Sequence, residues 1–230
     1  MFTAIRALPG QCFITLCLAL ALTGAAESAE SASAREFSAD IARRDAAGTA
    51  IGTGARLYAA NGKVRIETPE SPAGFFLIDS QAGSALFVRP AQHIYMDSKQ
   101  SSRLTQFFVP VDPKDPCPQW RAAAIQAGMT DAGGDWHCKR IGTATIDGRG
   151  TIEYQVVSPQ KESGRRWIDP DLGLPLKLQA ADGTTVLLEN IRIEAQSPSL
   201  FAIPQGFGKL DPQALIDRIK RSDVWVEPPK

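Results

Sequence analysis

The sequence predicts a mainly β domain with a few helices, built on consecutive antiparallel hairpins. Three observations carry this. Apolar and polar residues alternate with period two in short runs between Phe37 and Ile193, the pattern of strands with one face on a core. Turn residues separate those runs at intervals too short for a helix, which suits hairpins and excludes βαβ crossovers. The pattern breaks once, where Pro110, Pro113, Pro116 and Pro118 crowd together; prolines that dense cannot form a central strand.

The first element is not part of that domain. Arg6 provides a positive start, Cys12 to Leu22 is an almost wholly apolar run, and Thr23-Gly24-Ala25-Ala26 offers small residues for cleavage. This is the anatomy of a secretory signal peptide over residues 1–26. The apolar run is about half the roughly 20 residues that a spanning helix needs. Cys12 follows Pro-Gly-Gln and Cys17 follows Ile-Thr-Leu, so neither sits in a lipid-attachment context. Residues 27–36 are small and polar, a flexible leader that buries too little to order itself. Residues 37–230 are expected to form a single domain.

Of the 230 residues, 43% are hydrophobic and 22% charged, ordinary globular proportions. Arg6 leaves with the signal, so the 25 basic residues lose one against 25 acidic ones and the mature net charge is −1. The pairs Arg43-Arg44 and Arg165-Arg166 are too short for a phosphate-binding stripe and read as solvated strand positions. No nucleic-acid partner is expected.

Strand candidates then follow in order. Phe37 to Ile41 alternates. Leu57-Tyr58 and Lys63 to Glu67 flank Asn61-Gly62, a hairpin signal because a type I′ turn needs positive φ at both central residues. Val64 and Ile66 are expected on the core side, with Lys63, Arg65 and Glu67 in water. Gly74 to Asp79, Ala85 to Arg89 and His93 to Asp97 continue the meander. After the prolines, Trp120 to Met129 is Ala-rich and suits a helix with Pro118 in its first turn. A helical insert over about 110–138 is therefore expected. The sheet resumes with Ile152, Tyr154 and Val156, then Arg165 to Ile168, Leu176 and Leu178, and Thr184 to Ile193. Asp211 as N-cap and Pro212 as first residue predict a C-terminal helix over about 211–223.

Once the signal is removed, Cys117 and Cys138 remain, an even pair in an exported chain. A disulfide closing a loop of about 20 residues is the economical reading. The rival, a metal site of Cys117, His137 and Cys138, fails because adjacent side chains cannot readily turn to one ion and the spacing fits no zinc motif. No metal and no cofactor is expected. His93 and His137 are the two histidines, with neither Gly-x-Ser-x-Gly nor His-Glu-x-x-His nearby. Asp112 with Asp115, and Asp169 with Asp171, lie in proline-containing turns. Gly52-x-Gly54 lacks the third glycine and helix of a dinucleotide loop. No catalytic residues are assigned, and the chain is expected not to be an enzyme.

Aromatic residues do stand out on the strands and insert. Phe76, Phe87, Tyr95, Phe107, Phe108 and Trp120 are the candidate lining of an apolar cavity, since a sheet that curls around helices encloses one. The Phe37-Ser38-Ala39 strand, the run from Leu57-Tyr58 through Asn61-Gly62-Lys63-Val64-Arg65-Ile66-Glu67, and Leu200-Phe201-x-Ile203-Pro204-x-Gly206-Phe207 resemble passages of the lipoprotein-localisation carriers, LolA and LolB, and of the related periplasmic stress-sensor domain. The resemblance spans roughly residues 37–210. It implies a curled antiparallel sheet, a half-open barrel, with helices packed in or across its mouth. It also implies a periplasmic carrier or binding protein for a lipid or acyl-chain ligand or a lipidated protein. The Cys117–Cys138 insert and the C-terminal helix depart from the carriers. The alternatives are an envelope sensor or protein-interaction module, a hydrolase with dispersed residues, and secretion instead of periplasmic residence.

Overall fold

In the computed structural model, residues 35–52, 54–68, 74–98, 104–129, 131–211 and 217 are described. The expected signal segment and most of the expected leader lie outside them, as does almost all of the expected C-terminal helix. The strands of the first half are β1 (Phe37–Arg44), β2 (Ala55–Ala60), β3 (Lys63–Thr68), β4 (Gly74–Asp79), β5 (Ser84–Arg89) and β6 (Ile94–Asp97). Two helices follow, α1 (Leu104–Phe107) and α2 (Cys117–Gln126). The second half holds β7 (His137–Ile146), β8 (Arg149–Val157), β9 (Ser163–Asp169), β10 (Leu174–Ala180) and β11 (Thr185–Ile193), and Gly208–Lys209 forms a short β12.

All twelve strands lie in one open, curled sheet, in the order β12-β6-β5-β4-β3-β2-β1-β11-β10-β9-β8-β7. Each half is an antiparallel meander, and β1 joins them by pairing with β2 on one side and β11 on the other. Only β12 is parallel, beside β6. This order dictates the insert's path. The first meander grows away from β1 in one direction and the second in the other, so β6 and β7 finish near opposite edges. The chain between them has to cross a face of the sheet, and α1 and α2 lie on that crossing.

Local chemistry sets the turns. Asn61 and Gly62 have φ of 51° and 76°, as the β2–β3 hairpin requires. Asp147-Gly148, with φ of 49° and 73°, makes the same two-residue turn between β7 and β8. Its dipeptide carries the same hairpin signal. Strand β7 is an edge strand with mostly exposed residues, so its alternation is weak. In α2, Pro118 occupies the first turn, where its missing N–H has no helical partner to lose. The helix begins three residues ahead of Trp120, at Cys117.

The main core lies between the insert and the sheet's inner face. Phe37, Leu57, Val64, Ile66, Ile168, Leu176 and Leu188 from the strands meet Phe108, Val109, Val111 and Trp120 from the insert. A fully buried side chain of this size contributes about 1.5–3 kcal/mol, so the crossing segment is welded to both halves. Hydrogen bonds fix its height. The Tyr154 hydroxyl donates to Pro113 O at 2.9 Å, and Val111 N–H to Gly173 O at 2.8 Å. The bond between Cys117 and Cys138, with Cα atoms 5.8 Å apart, ties the start of α2 to β7.

Two strand expectations need correction. Arg65 does not face water. Its side chain is 14% exposed, lies 3.4 Å over the Phe75 ring, and donates to Leu200 O. The cause is the segment after β11, which returns over the outer face and packs Ile203 and Phe207 on Phe75, Leu77 and Val88. His93 is not in a strand. It closes a short 3₁₀ turn, Pro90–Gln92, in the left-handed conformation at φ 51°, and β6 starts one residue later.

Candidate functional site: a cavity between the insert and the sheet

Strand β9 turns alternate side chains to opposite faces. Arg165 and Trp167 point outward: Arg165 pairs with Glu153 at 3.3 Å, and the Lys177 ammonium sits 4.6 Å from the Trp167 ring centroid. Arg166 and Ile168 point inward. Across the strands, Tyr154, Arg166, Leu178 and Val186 stand opposite one another in a single row on the inner face. Facing that row are Phe107 at the end of α1, and Trp120 and Ala124, one turn apart on α2. Between these walls lies a cavity of about 530 Å³, within the range of sites that hold small ligands. Met129 and Trp136 extend the insert's wall, while Arg43, Glu162 and Asp182 stand around it on the sheet side.

Arg166 is the unexpected feature of this wall. Its guanidinium carbon lies 4.6 Å from the centroid of the Trp120 ring and 5.6 Å from that of Phe107. Stacking on aromatic faces partly compensates a desolvated cation. Even so, burial pushes the guanidinium down to about 10. The side chain keeps some accessible surface because it borders the cavity, while its Nη1 is wholly covered and has no hydrogen-bond partner. Two further buried polar atoms on this cavity are also without a partner, Trp120 Nε1 and Ser158 Oγ. The reading of Arg165-Arg166 as a solvated pair therefore holds for Arg165 and is corrected for Arg166. The alternation Arg166-x-Ile168 carried the signal: an arginine two residues before an inward isoleucine shares its face.

The six aromatic candidates separate into three places. Phe107 and Trp120 line the cavity. Phe76, Phe87 and Phe108 are in packed core, with the Phe76 and Phe87 rings 4.7 Å apart and Phe108 fully buried. Tyr95 is on the outer face, with Phe75 and Val88. Arg166, Leu178 and Val186 join the site without having been singled out for it, because only the strand register puts them in one row; Ser158, just past the end of β8, joins it from the same wall.

The groups considered for chemistry have local roles. His93 stacks edge-on against Phe207 at 5.3 Å, and His137 begins β7, at the other edge. Asp169 is 1% exposed; its carboxylate takes the Arg149 Nε–H and the N–H groups of Asp171 and Leu172, which closes the β9–β10 turn. That hydrogen bond holds the Arg149 guanidinium above its ordinary value. Asp112 accepts from Lys114 N–H at 2.8 Å in a turn. Among the described residues, no group of three His, Cys, Asp or Glu could hold a metal, and no helix is long and apolar enough to cross a membrane.

The sequence matches no family model and no curated protein. Solved structures similar to the chain include PNGF-II, 13% identical with a TM-score of 0.49, covering 82% of this chain and 33% of that one. The chain thus spans about a third of PNGF-II. Another is an uncharacterized conserved protein from Thermus thermophilus, 13% identical, TM-score 0.45, covering 78% and 91%. A third is the LolA superfamily protein NE2245 from Nitrosomonas europaea, 12% identical, TM-score 0.36, covering 74% and 90%. These likenesses are of fold. The fold itself is one open curled sheet with helices laid across its inner face.

Proposed function

We propose that this chain is an exported, non-enzymatic carrier or binding protein of the periplasm, whose ligand places an apolar chain in the cavity between the insert and β8–β11. The observation that carries the reading is the cavity itself: about 530 Å³, walled in part by Phe107, Trp120, Leu178 and Val186. Each CH₂ transferred from water gains about 0.8 kcal/mol, so a long acyl chain needs few polar contacts to be held. The signal-like residues 1–26 and the disulfide support export into an oxidising compartment. The delipidated mature protein, titrated with a fluorescent fatty-acid analogue, should bind saturably. Val186→Phe should weaken that binding severalfold by filling the wall, with the melting temperature unchanged or raised.

A second reading rests on β7. This ten-residue edge strand is largely exposed and carries Ile141 at its surface, and an unpaired edge can accept a strand from a partner. The domain would then be an envelope interaction module. No saturable binding at tens of micromolar analogue, together with capture of an envelope protein lost on Ile141→Lys, would favour it.

A further inference from the structure

Native proteins pair nearly all their buried polar groups, and a group left unpaired in an interior needs an explanation. Three of them belong to residues that line one cavity: Arg166 Nη1, Trp120 Nε1 and Ser158 Oγ, each covered and each without a partner among the described residues. All three can donate a hydrogen bond. Trp120 and Ser158 are 2% and 8% exposed, so neither donor can simply turn to bulk water. The acids of the cavity wall do not neutralise the cation. Glu162 and Asp182 are both exposed, Asp182 accepts the Thr184 N–H in its own turn, and neither forms an ion pair with Arg166 among the described residues. Beyond the guanidinium, Leu178 and Val186 continue the same row as apolar wall. A cation with two spare donors thus stands at one end of an apolar stretch of the wall, a layout complementary to a molecule with one acidic end and one apolar chain.

We propose that the ligand of this cavity is an anionic single-chain amphiphile, whose carboxylate or phosphate monoester is held by Arg166 with Trp120 and Ser158 while its chain runs along Leu178 and Val186. The proposal rests on the binding reading above and adds the head group to it. An arginine meets either oxyanion with paired N–H donors, and such charge-assisted bonds are about twice as strong as neutral ones.

The test compares head groups on one chain length. Delipidated wild-type protein is titrated, in competition with the fluorescent analogue, with myristate, 1-myristoyl lysophosphatidate, and the neutral myristyl alcohol. The two acids should bind about tenfold or more tightly than the alcohol. Of the two, the tighter names the source, a free fatty acid or a lysophosphatide. Arg166→Met should erase the preference for acids, and Ser158→Ala, a milder change, should narrow it. Equal binding of acids and alcohol would overturn the head-group proposal and leave the cavity reading standing. So would an acid preference that survives in Arg166→Met. Failure of all three to bind would remove the cavity reading and this proposal together. Should Arg166→Met not fold, the wild-type series and Ser158→Ala decide the matter unaided.

Discussion

Replacing both Cys117 and Cys138 with serine opens the covalent tie between α2 and the edge strand β7. The bridge spans 21 positions of sequence. In the chain-entropy treatment a loop of that length restricts the unfolded ensemble by about 3 kcal/mol at 25 °C. In a chain of this size each kcal/mol moves the melting midpoint by about 2–4 °C, so the double variant should melt about 6–12 °C lower. The loss should be local in character. Helix α2 buries only Trp120 and Ala124, whereas the sheet has its own ladder and core. The far-UV circular dichroism of the folded variant should therefore keep its β signal. Hydrogen exchange should rise in residues 104–136 first, and binding of the fluorescent analogue should weaken because the insert forms one wall of the cavity. Thermal and urea melts of the double variant against wild type provide the measurement. An unchanged midpoint would refute the entropic argument, and loss of all β signal would show that the bridge supports the sheet and not the insert.

Two other predictions concern charges. Arg166 carries its charge inside the protein at a folded-state value of about 10, below its ordinary value. Holding the charged form there costs stability, on the order of 1–3 kcal/mol; that cost is fully present below about pH 10 and is relieved as the pH rises above it towards arginine's ordinary value. Arg166→Met should accordingly be more stable than wild type in urea melts at pH 8, with the difference shrinking at pH 10.5; a variant less stable at pH 8 would show the arginine to be a structural support. Asp169→Ala leaves the Arg149 guanidinium and two turn N–H groups without their acceptor, and should lower stability by about 3–5 kcal/mol. Arg44→Ala removes a 2.6 Å pair with Glu189 whose side chains are 39% and 34% exposed, and should cost no more than about 1 kcal/mol; equal losses would refute the burial argument.

Much of the meander was legible because its signals are local. Asn61-Gly62 dictates a hairpin wherever it sits between alternating runs, and the alternation of Val64 with Ile66 identifies the inward face without any knowledge of the partner strand. Pro118 and the alanines after Trp120 mark a helix start on their own, and Cys117 and Cys138, the two cysteines beyond the N-terminal apolar run, leave one pairing. The fate of Arg65 was not legible. Its neighbours on the strand say only that it points away from the core; that a distant segment around Leu200 folds over it depends on where the chain goes after β11. Tyr95 and Phe107 illustrate the same limit from the other side, since both are aromatic and both adjoin the insert in sequence, yet one ends on the outer face and the other at the cavity.

Sequence alone thus determined the strand periodicity, the turns and the helical insert, because each rests on backbone preferences within a few residues, and the cysteine pair, because two cysteines beyond the N-terminal apolar run admit one pairing. Tertiary structure alone decided that β1 pairs with β11, which sends β6 and β7 to opposite edges and forces the insert across the inner face. It also decided that Tyr154, Arg166, Leu178 and Val186 share one row. Register between strands far apart in sequence is set by the packing of whole faces, and that long-range packing is what turns an ordinary-looking arginine pair into one solvent-facing residue and one buried cation.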